Sequence, residues 1–189
     1  MMKSVRKGYV LFAFLTLSLM VLPSQNGFGQ PANPVVTGLE ARAKEYIKER
    51  EKIERSLPQL SKRATPEEVA AHKEALAKAV QQARAGVKQG SIFTPEAAAY
   101  LKTLIAAQLD GPERAELRKE VIEAENKAVT VRVNYPYPAS QEILEMPATL
   151  LMVLPQLPKQ LKYRFVGRHL LLVDRENLLI IDYITNAVP

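Results

Sequence analysis

From Leu39 the chain advances in steps of four and three through Ala43, Tyr46, Arg50, Ile53, Leu57 and Leu60. That spacing is a heptad seam and predicts a helix. Pro58 should end it near Leu57, because proline lacks the amide donor. Arg50 is the one charge on the seam. Two readings stand open: the helix packs within its own domain, or it pairs two subunits as a homodimer through the Leu39–Leu60 stretch. Thr65, Pro66 and Glu68 then form a capping box with proline at the first helical position. Val69, His72, Leu76, Val80, Ala83 and Val87 trace the second helix, which Gly86 or Gly90 ends. Thr94-Pro95-Glu96 opens a third, striped by Ala98, Leu101, Leu104, Ile105 and Leu109. A fourth runs from Pro112 to about Lys127, with Leu117, Val121 and Ala124 or Ala128 inward.

At Ala128 the apolar period changes from 3.6 to 2. Val129, Val131 and Val133 alternate with polar residues and predict a strand. Tyr135-Pro136-Tyr137-Pro138 breaks it as an extended connector. Ser140 is placed to cap a short helical stretch. Ala148–Leu154 is apolar and bracketed by Pro147 and Pro155, which leaves room for one or two helical turns.

Leu161–Val166, His169–Val173 and Leu178–Ile184 read as three strands of a meander. Gly167-Arg168 makes a two-residue turn, and Asp174–Asn177 a four-residue one. These lengths set a register in which Tyr163 faces Leu172, Leu170 faces Ile181, and His169 faces Asp182. One face, with Leu161, Tyr163, Phe165, Leu170, Leu172, Leu179, Ile181 and Tyr183, should pack on the helices. The other mixes Lys162, Arg164, His169 and Asp182 with an apolar centre of Leu171, Val173, Leu178 and Ile180. The Val129–Asn134 region, the Ala148–Leu154 stretch or a partner would cover that centre; left open, it would be an interaction surface. The expected class is α+β: about four helices, then a small antiparallel meander of three or four strands with a short proline-bracketed helix.

The N-terminus adds a location. Met1–Lys7 is basic, Tyr9–Leu22 is apolar, and Gly27 and Gly29 are small residues before a cut at Gln30. This is the pattern of a secretory signal peptide. The apolar run is short of the about 20 residues a span needs, so no stable membrane span is expected after cleavage. The expected organisation is a signal peptide (1–29), a flexible leader (30–37), a helical region (38–127) and a β-rich region (128–189) packed on the helices. The product would be periplasmic or secreted.

Composition then narrows the chemistry. The chain has 26 Lys+Arg and 20 Asp+Glu, a formal charge of +6. Three of those cations lie before Gln30, so the remainder carries 23 against 20, only +3. Its charges are interleaved, which argues against nucleic acid as a partner. With no cysteine there is no disulfide, thiolate metal site or thiol nucleophile.

Beyond residue 29 there are two histidines, His72 and His169, and four serines, none in a nucleophile elbow. His72 sits four residues after Glu68, an ordinary helix pair. One constellation remains: His169 opposite Asp182, with Arg164 on the same face. Such a trio would hold a small ligand or supply two metal ligands. Only Asp174 and Glu176 are near enough in sequence to add a third. No cofactor is expected.

Three segments, Gly90–Glu96, Leu154–Pro158 and Tyr163–Arg168, resemble a group of exported bacterial proteins of unassigned function. The resemblance runs from about Thr65 to Ala187. Its motifs are a helix start, a proline bracket and a hairpin turn, so it implies a fold and no activity.

The leading expectation is therefore an exported, non-enzymatic envelope protein that binds a partner protein or surface component. The alternative is a periplasmic small-ligand or metal-binding module on the His169, Asp182 and Arg164 face. A hydrolase of unfamiliar type ranks third.

Overall fold

Asn33 starts the first helix by accepting the Val35 amide on its side chain at 2.9 Å. The computed structural model describes residues 33–123, 130–137 and 146–189. The signal peptide, the first part of the leader, the Ser140 cap and the end of the fourth helix lie outside the described residues. Helix α1 is Pro34–Arg55, so the leader expected through Thr37 is already helical from Pro34. Proline at the first helical position carries a suitable φ and needs no amide partner, which explains the earlier start.

The seam on α1 points into its own unit: Leu39, Ala43, Tyr46 and Arg50 are buried, and Ile53 and Leu57 pack partly on the core. The seam's first half is thus covered within the chain itself. Helix α2 is Pro66–Ala83, and its capping box is formed in both directions between Thr65 and Glu68. Helix α3 is Pro95–Leu109, capped by Thr94. Pro112–Arg114 is a single 3-10 turn leading into α4, Ala115–Glu123. Helix α5, Ala148–Val153, is the short proline-bracketed element; Leu150 is fully buried. Among the described residues, no helix is long and apolar enough to cross a membrane.

Strands β1 (Leu161–Val166), β2 (His169–Asp174) and β3 (Ile180–Ile184) form an antiparallel sheet in the order β1-β2-β3. The chain is thus α+β, with helices and sheet in one compact unit, Ala32–Pro189. The β1–β2 register is the expected one, with Val166 opposite His169 and Tyr163 opposite Leu172.

The β2–β3 register differs. Leu178 takes a left-handed conformation, φ 54°, which lengthens the turn so that β3 begins at Ile180. Val173 pairs with Ile180 but Leu172 pairs with Asp182, leaving Ile181 as an extra, bulged residue. A bulge shifts the side-chain alternation by one. Asp182 therefore turns to the helix side, and Tyr183 goes to the other face.

That second face is covered. Tyr137, Val166, Leu171, Val173 and Ile180 form a buried cluster, with Val131 packed against it. The segment expected as a strand over Val129–Asn134 is instead irregular where described. It is tied to the sheet by Asn134 N–H to Ile180 O (2.7 Å), Ile180 N–H to Tyr135 O (2.9 Å) and Tyr137 N–H to Leu178 O (2.6 Å). Its one bridge is Pro136 to Leu179. Asn134 at φ 61° and Pro136, which has no amide donor, prevent a regular ladder. The expected interaction surface of Leu171, Val173, Leu178 and Ile180 is accordingly corrected: three of the four are fully buried, and Leu178 is a half-buried turn residue.

Candidate functional site

The three residues expected to form a site are separated. His169 sits at the hairpin end, where its Nδ1 accepts the Asn186 amide at 3.4 Å. Asp182, fully buried, lies on the opposite face. Its Oδ1 accepts the amides of Gly90 and Tyr183, both at 2.9 Å, and its Oδ2 those of Ile92 (2.7 Å) and Phe93 (2.8 Å). Burying a carboxylate demands such donors. Asp182 thus fastens the loop before α3 to the sheet and is not opposite His169. This corrects the His169–Asp182 pair, because the Ile181 bulge intervenes.

The two acids proposed as extra ligands are also engaged. Asp174 Oδ2 accepts from Tyr46 Oη (2.7 Å) and from Arg50 Nε (2.9 Å). Its Oδ1 accepts the amides of Glu176 and Asn177 in its own turn. Arg50 further binds Glu54 at 2.9 Å, and Glu176. Burial, and next the adjacent Asp174 charge, push the Tyr46 hydroxyl far above the usual phenol range. Among the described residues, no group of three His, Asp or Glu is arranged to hold a metal ion.

A second buried arginine clamps the irregular segment. Arg84 donates to Ile181 O (3.1 Å) and to the Asn134 side chain (3.2 Å), and lies 5.0 Å from the centre of the Tyr46 ring. Loss of water lowers its pKa, so these contacts replace hydration.

Arg164 alone of the expected trio enters a concave site. A cleft of about 410 Å³ opens along the outer edge of β1. Four cations line it: Lys159, Lys162, Arg164 and Arg175. Met146, Leu151, Leu154, Pro155, Leu157 and Tyr163 add apolar side chains to the lining, with Gln156 beside them. No carboxylate lines it among the described residues.

Sheet geometry brings these charges together. Lys162 and Arg164 are two apart on β1 and so share a face. Arg175 is carried alongside by its amide bond to Gln160 O at 2.8 Å. Two of the cations are braced on the outer edge of β1: Arg175 Nε donates to Leu161 O (3.1 Å) and Arg164 Nη1 to Tyr163 O (3.2 Å). Tyr163 is held by its hydroxyl donating to Pro155 O at 3.1 Å, and burial raises its pKa. Lys162 is pushed below the ordinary lysine value, first by lost hydration and then by repulsion from Arg164 and Arg175. Crowding like charges in this way disfavours each of them. An entering anion would relieve that repulsion.

Sequence reasoning missed this cleft, although its signal was present. Lys159, Lys162 and Arg164 crowd the entry to β1, and the hairpin register brings Arg175 to the same end. Nothing in the sequence showed that α5 and the Leu154–Pro158 segment would wall it. Compared with known proteins, the chain matches no family model, no curated protein and no solved structure.

Proposed function

We propose that this chain is an exported, non-enzymatic binding protein of the cell envelope, periplasmic or secreted, and that the cleft along β1 is its binding site. The observation that carries the reading is the convergence of Lys159, Lys162, Arg164 and Arg175 on one hollow that apolar side chains also line. Small-ligand clefts commonly occupy about 300–1,000 Å³ and combine an apolar lining with a few polar groups. The hollow has that size and makeup. Export is supported by the basic start, apolar run and small residues before Gln30. A binding role is favoured over catalysis because Asp174 and Asp182 are fully committed to structural bonds. His169 stands apart from both.

The test is retention. Parent protein and the K159E/K162E variant are immobilised and exposed to the same envelope extract. A component held by the parent and released by the variant is the expected result. Equal retention by both, or none by either, would overturn the cleft as the site. N-terminal sequencing of the exported product should begin at Gln30.

A further inference from the structure

We infer that a second hollow, beside β3, binds an acidic saccharide, a chain of hydroxyl-rich rings that carry carboxylates. It measures about 630 Å³, a size usual for ligand sites, and shares no lining residue with the β1 cleft. Four parts of the chain build it. Gln81 lies in the last turn of α2, Lys88 and Gln89 in the loop that follows, Arg132 and Tyr135 in the irregular segment, and Tyr183 on β3. These parts are fastened to one another. Arg84 Nε donates to the Asn134 side chain, whose amide donates back to Arg84 O. Gln81 Nε2 donates to Asn134 O at 2.9 Å, and Gln89 Nε2 to Tyr183 O at 3.1 Å. The hollow is thus shaped before a ligand arrives, which lowers the entropic cost of binding.

The lining matches a sugar acid group by group. Tyr135, 42% exposed, and the half-buried Tyr183 both line the hollow. A tyrosine ring offers a flat apolar face with a hydroxyl at its edge. A sugar ring has the same division, with carbon-bound hydrogens on its faces and hydroxyls around its rim. Each glutamine uses one N–H on a backbone carbonyl, which leaves its amide oxygen to accept from those hydroxyls. Lys88 and Arg132 are exposed, and neither forms an ion pair among the described residues. No carboxylate lines the hollow among those residues. Carboxylates on the ligand would meet the two cations through charge-assisted hydrogen bonds. A hydrocarbon would strand the amides and the cations, and an acidic peptide without rings would leave the tyrosine faces wet.

Isothermal titration of the purified full-length chain tests the assignment. The probes are oligogalacturonate, a maltooligosaccharide of the same length as the neutral sugar, and oligoglutamate as the acid without rings. Oligogalacturonate should bind about tenfold or more tighter than either of the others. Tyr135→Ala should weaken it by about tenfold, whereas Tyr135→Phe, which keeps the ring face, should retain most of the affinity. K88Q/R132Q should remove the preference over the neutral sugar. The K159E/K162E variant, altered only in the β1 cleft, should bind oligogalacturonate like the parent, so this site and that one fail separately. Equal binding of the maltooligosaccharide would show that charge is not read, and equal binding of oligoglutamate that rings are not read; either overturns the inference. So does the absence of binding by every probe, or full affinity in both Tyr135→Ala and K88Q/R132Q. Melting curves check that each variant is folded. Lys88→Gln alone, at an exposed loop position, carries the test of charge if the double variant unfolds.

Discussion

Arg50 on the first helix donates from Nε to Oδ2 of Asp174 at the end of β2, at 2.9 Å, with both side chains almost wholly withdrawn from water. The one charged residue on an apolar helix seam is thus matched by a carboxylate 124 positions later. Removing one partner of a buried pair strands the other charge. Asp174→Ala should cost about 3–5 kcal/mol of stability, read from urea unfolding. Arg50→Lys keeps the charge but not the fork that reaches Asp174, Glu54 and Glu176 together, and should recover only part of that loss.

Asp182 makes a sharper case, because all four of its acceptor contacts are backbone amides. In Asp182→Asn one oxygen becomes an amino group that cannot accept, and two amides face a donor. The expected loss is about 2–4 kcal/mol. Hydrogen exchange localises it: the amides of Gly90, Ile92 and Phe93 should lose protection more than those of α1.

Alkaline pH should unfold the chain through its buried tyrosines. Burial is the first cause raising Tyr46 and Tyr163, and Asp174 adds to it at Tyr46. A group whose folded pKa is raised stabilises the fold fully below its unfolded value of about 10. That contribution falls as pH rises past this value, because the unfolded chain ionises first. Absorbance titration should show two tyrosines ionising only with unfolding. Tyr46→Phe should remove part of the alkaline slope.

Helix α5 separates packing from surface within six residues. Leu150 is fully buried against the core, whereas Met152 is the most exposed large apolar residue among those described. Leu150→Ala should destabilise by about 2–5 kcal/mol. Met152→Ser should change stability by less than about 0.5 kcal/mol. Thermal melts of the two variants check the contrast.

Much of the architecture was legible because it rests on local chemistry. Thr65 with Glu68, the seam from Leu39 to Arg50, and the two-residue turn at Gly167-Arg168 each carry their own geometric instruction. What failed was non-local. The second hairpin depended on Leu178 adopting φ 54°, a conformation a leucine does not advertise, and on a bulge at Ile181. One extra residue moved Asp182 from beside His169 to the helix side, and the expected site dissolved with it. The Val131 region missed its strand for a similar reason: Arg84 and Asn134 clamp it by side-chain bonds that no periodicity reports. The cleft was half legible, its charges by their spacing and the apolar part of its lining only through the folded position of α5.

The Arg50–Asp174 bond also sets an order of assembly. Until residues near the end of the chain have arrived, the inward face of α1 holds a cation paired only with Glu54 of its own helix. The first described helix therefore docks late, by closing a loop that spans most of the unit, and contacts of that separation slow folding. Closing that 124-residue separation is the long-range step that gives the buried Arg50 its equally buried partner.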